Sequence, residues 1–114
     1  SAAAFRALGY QIARATVVDL QGMAHAALGR TGTALRLLRD ALDIFHRLGD
    51  PVNAAFAVEA IAALFAAAGE MERAARWLAG AEAVRERHDV EPYPLFGYDR
   101  TVASVRSALE AAVL

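Results

Sequence analysis

The stretch FHRLGDP, residues 45–51, has an echo in FRALGYQ, residues 5–11. Phe, Leu and Gly fall at the same places, 40 residues apart. Sliding the chain by that interval aligns residues 5–47 with 45–87, and thirteen of the 43 pairs are identical. They include Phe5/Phe45, Leu8/Leu48, Gly9/Gly49, Val18/Val58, Gly29/Gly69, Ala34/Ala74, Leu38/Leu78 and Ala41/Ala81. An alanine-rich chain supplies several Ala pairs by chance. Chance does not readily place Gly, Leu and Phe together at the boundaries. Self-similarity at an interval of roughly 34 to 47 residues marks a repeat built from helix pairs.

Within FHRLGDP, Gly49 reads as a helix stop, because Gly readily takes the left-handed conformation past a last turn. Asp50 and Pro51 read as a start, a favoured cap followed by a favoured first helical residue. The same logic places breaks near Gly9, Gly29 and Gly69. Working outward, residues 2–8 read as the tail of a helix ended by Gly9. Residues 10–28 form a helix with an apolar stripe of Ile12, Val17/Val18, Leu20, Met23/Ala24 and Leu28. The next, about 32–48 and capped by Thr31 or Thr33, carries Ala34, Leu38, Ala41, Ile44/Phe45 and Leu48. Helices follow at about 52–68 and 71–88, the last with Glu70 and Glu72 near its positive end. HDVEPYPLFG, residues 88–97, holds Pro92 and Pro94 and cannot be helix throughout. A final helix, about 98–112, has the stripe Tyr98, Val102, Val105, Leu109 and Ala112, with Arg100, Ser104, Arg106, Ser107 and Glu110 opposite. One apolar and one polar face suit the cap that a stack of repeats needs. The reading therefore divides the chain into residues 1–9, the tail of a preceding repeat; 10–49 and 50–89, two repeats; and 90–114, a Pro loop and capping helix.

The composition agrees with a single helical domain. The chain has 114 residues, no cysteine and a formal net charge of −1. That excludes a disulfide framework and gives no overall field for nucleic acid or an anionic membrane. Its 12 basic residues are all Arg, interleaved with 13 acids. The apolar fraction is 57%, much of it alanine, which favours helices and lets them approach closely. SAAAF at the start has no basic region, so no signal peptide is expected. The longest apolar run, residues 60–69, is far too short for a membrane span. These features lean towards a cytoplasmic setting.

Two passages share the pattern G-x-x-x-x-A-x-x-x-L-x-x-A: Gly29/Ala34/Leu38/Ala41 and Gly69/Ala74/Leu78/Ala81. The pattern resembles the second half of a tetratricopeptide repeat, with Gly22 and Ala62 at a small position and His25 and Phe65 at an aromatic one. The interval here is 40 where the plain repeat has 34. MERAARWLAGAEAVRERHDVEPYPLFGYDRTVASVRSALEAAV, residues 71–113, resembles the segment that often ends large bacterial LuxR-type regulators with a nucleotide-binding module. The resemblance implies an all-α, right-handed antiparallel α-solenoid of helix hairpins closed by a C-terminal helix. It implies a non-catalytic protein–protein interaction region of a larger transcriptional regulator. A structural spacer or self-association domain is the alternative.

Candidate chemistry is sparse. His25, His46 and His88 lack the three or four convergent ligands that zinc needs. The hydroxyls and acids form no nucleophile pattern. LGRTG, residues 28–32, lacks the Gly-Lys-Ser/Thr ending of a phosphate loop and reads as a turn. RERHD, residues 85–89, reads as a solvated helix end. Accordingly no enzyme activity, metal or cofactor is expected. Phe5, Phe45 and Phe65 are expected in the core, Trp77 at the edge of the stack, and Tyr93, Phe96 and Tyr98 either plugging the core's end or forming a binding tip. The resemblance implies that the first helix of each repeat lines a concave groove showing Thr16, Asp19, Met23, Phe56, Glu59 and Ala63. The recurring acids Asp19 and Glu59 could meet a basic peptide, or could keep an alanine-rich face soluble. The expected partner is a protein or peptide, with a homodimer possible through Phe5 and Leu8 at the N-terminal edge.

Overall fold

Three turns of one form punctuate the chain, at Gly29, Gly49 and Gly69, whose φ values are 77°, 68° and 82°. The N–H groups of these glycines donate to the carbonyls of Ala26, His46 and Ala66. The N–H groups of the next residues, Arg30, Asp50 and Glu70, each donate at 2.9 Å to the carbonyls of His25, Phe45 and Phe65. This double bond pattern satisfies carbonyls that a helix end would otherwise leave open. Arg30, Asp50 and Glu70 are also the caps of the helices that follow, so each reversal is completed in three residues.

The computed structural model describes residues 1–90 and 98–113, and among these the chain is all-α. Its helices are α1 (Ala2–Ala27), α2 (Thr31–Arg47), α3 (Pro51–Ala67), α4 (Met71–His88) and α5 (Tyr98–Val113). Asp50 caps α3 through its side chain, accepting from the Asn53 N–H at 3.2 Å, and Pro51 opens that helix. Arg30 rather than Thr31 or Thr33 is the cap of α2, with no side-chain bond; Thr31 is already helical. α4 ends at Asp89, which takes the left-handed conformation with φ 53°.

The break expected at Gly9 does not form: α1 runs unbroken through it. Gly49 is followed by a cap and a proline, whereas Gly9 is followed by Tyr10 and Gln11, which supply neither. A helical Gly costs only about 1 kcal/mol relative to Ala, so a glycine by itself does not end a helix. As a result α1 has 26 residues against 17 in α2, and its first turns overhang. Phe5, expected in the core, lies on that overhang and is 77% exposed.

Each helix folds back on its predecessor: α1 along α2, α2 against α3, and α3 along α4. α5 lies across both α4 and α3. The helices meet closely because small residues stand at the crossings. Ala15, Ala34, Ala41, Ala57, Ala62, Ala74 and Ala81 are fully buried. At Gly22 an added Cβ would come within 2.8 Å of the Leu38 side chain. Leu38, Phe45 and Ile61 supply the bulk between them. Phe65 is buried with its ring centroid 6.2 Å from that of the half-buried Trp77. α3, apolar nearly all round, is the most enclosed helix, as expected of an element without a polar face. Val105 of α5 is buried, with Tyr98, Val102 and Leu109 partly so against the same core. Ala112, expected on that stripe, is exposed. The result is elongated, 58 × 31 × 21 Å, with a radius of gyration of 14.9 Å. A compact domain of this length would have roughly 13 Å.

Candidate interaction surfaces

The six residues expected to line a groove do not form an open acidic face. Glu59 is 6% exposed and Asp19 is 8% exposed. Thr16, Met23, Phe56 and Ala63 are half-buried, and the Thr16 hydroxyl donates to the Ile12 carbonyl of its own helix at 2.9 Å. Burial of the two acids follows from the central place of α3 and from the small residues around Asp19, notably Ala15 and Gly22.

Glu59 has a dedicated counter-charge. Arg85 reaches from α4 and pairs with it through a charge-assisted hydrogen bond from Nε, both side chains being buried. The guanidinium carbon lies 4.9 Å from the centroid of the Phe56 ring and 5.8 Å from that of Tyr98. One arginine thus ties α3, α4 and α5 together through a charge and two ring faces. The Tyr98 hydroxyl donates to Glu82 at 2.6 Å. Burial first, then that bond and the Glu82 and Glu59 carboxylates, hold the hydroxyl protonated well above the ordinary tyrosine range. Arg85 pulls in the opposite direction. Sequence reasoning took Arg85 for a solvated helix end. The signal was its register: Ala74, Leu78, Ala81 and Arg85 share one face, and Arg85 stands 40 residues after the buried Phe45. Of the aromatic cluster, Tyr93 and Phe96 lie outside the described residues; Tyr98 docks on the body at α5's first turn.

Asp19 has no such arrangement. Where Glu59 meets Arg85, the earlier repeat carries Phe45 at the arginine's position. Its Oδ1 is buried without a hydrogen-bond partner among the described residues. Burial raises the carboxyl pKa from 3.8 to about 6.

The outward side of α1 is of a different character. The buried residues of this helix are Ala15, Asp19 and Gly22. The larger apolar residues Tyr10, Val17, Leu20 and Leu28 face away from the core, with Tyr10 67% and Leu20 50% exposed. The stripe expected from residue size therefore merged two faces. On the core side Ile12, Val18 and Met23 pack beside the small residues Ala15 and Gly22, where α2 approaches closely. Beside the outer face a cleft opens between α1 and α2, lined by Ala7, Tyr10, Gln11, Arg14, Ile44, Arg47 and Leu48.

Among the described residues no group of three or more His, Asp or Glu side chains is placed to hold a metal ion. No helix among them is long and apolar enough to cross a membrane. Comparison of the chain with family models, with curated proteins and with solved structures returns no match.

Proposed function

We propose that this chain is a non-catalytic protein–protein interaction module, a right-handed antiparallel stack of tetratricopeptide-like hairpins closed by α5. Its resemblance to the C-terminal part of LuxR-type regulators makes a bacterial, cytoplasmic regulator its natural setting. The observation that carries the reading is the division of labour on α1. Ala15, Asp19 and Gly22 face the core, while Tyr10, Val17 and Leu20, and Leu28 at the helix's end, stand in solvent. Large apolar residues exposed along one helix face are the kind of surface that marks contact sites. The buried charges, by contrast, are engaged inside the fold or shielded by it, so the groove acids Asp19 and Glu59 are weak candidates for meeting a partner.

The test is whether the outer residues of α1 are needed for folding. The double variant Val17→Glu, Leu20→Glu should keep wild-type helicity and lie within about 0.5 kcal/mol of wild-type stability, as surface changes do. A large loss of melting temperature would make these residues core and remove the binding face. A second reading, self-association through the N-terminal edge, is favoured by the exposure of Phe5 and Leu8. Sedimentation equilibrium separates the two: a monomer at all concentrations excludes self-association, and a dimer dispersed by Phe5→Glu supports it.

A further inference from the structure

We infer that the outer face of α1 docks an amphipathic helix of a partner protein, with an apolar seam flanked by acidic residues. The inference rests on the interaction-module reading and names the partner's chemistry. Tyr10, Ala13, Val17, Leu20, Ala24 and Ala27 recur at alternating spacings of three and four, and every one of them is exposed. That spacing is the seam one helix presents to another lying nearly parallel to it. Tyr10, Val17 and Leu20 supply the bulk, and the alanines between them allow close approach.

The charge on this face has one sign. The only acid in α1 is Asp19, and it is buried. The exposed charged side chains of α1 are Arg6 and Arg14, with the half-buried His25 beyond them. Arg14 also lines the cleft alongside the seam, with Arg47 of α2 across it, and no carboxylate lines that cleft among the described residues. Tyr10 belongs to both the seam and the cleft. Arg47 pairs with Asp43 at 3.2 Å, but both side chains are largely exposed, so the contact is readily exchanged. A docked helix with carboxylates beside its seam would set them against Arg14 and Arg47. A second copy laid α1 against α1 would instead bring Arg6 and Arg14 against the same residues of its partner.

Two labelled synthetic helical peptides test this, sharing one leucine seam, with either Glu or Lys at the flanking positions. Fluorescence anisotropy with the intact chain should show the Glu peptide binding about tenfold more tightly than the Lys peptide. The preference should shrink as salt rises, because it comes from partly exposed charges. Arg14→Glu with Arg47→Glu should invert the preference, and Leu20→Glu should abolish binding of both peptides, with helicity unchanged by circular dichroism. Equal binding of the two peptides would overturn the acidic partner while leaving the apolar face intact. Binding of neither to a folded, monomeric chain would overturn both. A wild-type dimer returned to monomer by Leu20→Glu would replace the partner with a second copy.

Discussion

Asp19 and Glu59 stand at equivalent places 40 residues apart and meet different fates, because Arg85 has no counterpart at Phe45. Removing one member of a buried pair leaves an uncompensated charge. Arg85→Met alone should therefore lose about 3–5 kcal/mol, whereas Glu59→Leu with Arg85→Met should lie near wild type. Equal losses in the single and double variants, read by urea unfolding, would contradict this. Asp19 behaves as a raised acid. Below the unfolded-state pKa of 3.8 both states are protonated and burial is harmless. As pH rises towards the folded value of about 6, the unfolded chain ionises first and folding loses stability. The full penalty, up to about 3 kcal/mol, is present above pH 6. Asp19→Asn should accordingly be the more stable protein at pH 7.5, with the advantage gone near pH 4. A difference independent of pH would refute the assignment. The recurrence of these acids was legible in the sequence. Their burial was not, since it depends on which side of α1 and α3 the neighbouring helices cover.

At the scale of elements, the turns were legible because their chemistry is local. LGDP carries a stop, a cap and a proline within four residues, and it forms the reversal it predicts. Gly9 does not end its helix because a glycine alone costs a helix only about 1 kcal/mol. The two glycines should respond to alanine with opposite signs. Gly9 is helical and an added Cβ meets nothing within 4 Å, so Gly9→Ala should gain about 0.5–1 kcal/mol. Gly49 has φ 68°, so Gly49→Ala should lose about 1–2 kcal/mol. Two losses of equal size in thermal melts would restore the break at Gly9. Gly22→Ala tests the close crossing of α1 and α2. Its Cβ would meet the fully buried Leu38, and overpacking there should cost about 1–3 kcal/mol despite alanine's better helix propensity. The inward face of α1 was legible in part: Ile12, Val18 and Met23 of the expected stripe pack against the core, while Val17, Leu20 and Leu28 are exposed. The most deeply buried positions are Ala15, Asp19 and Gly22, which bulk alone does not mark.

For the whole molecule, α5 closes the end of the core and touches α3 as well as α4. Truncation after Asp89 would uncover the apolar surface under Val105, Val102 and Leu109, and remove Tyr98 from Arg85. Several kcal/mol would be lost at roughly 1.5–3 per large side chain, most of a small domain's margin. The truncated chain should aggregate or melt without cooperativity. A monomeric, cooperatively folding fragment would show that α5 is an arm and not a closure. On the proposed reading, the chain meets a partner through the outside of α1 and not through the groove. The most direct measurement is amide chemical-shift mapping of the intact chain titrated with the Glu-flanked helical peptide. On this reading, shifts concentrated at Tyr10, Ala13, Val17, Leu20 and Ala24 and around Arg14 and Arg47 are expected. Shifts centred on Thr16, Met23, Phe56 and Ala63, with the outer face of α1 unmoved, would contradict it.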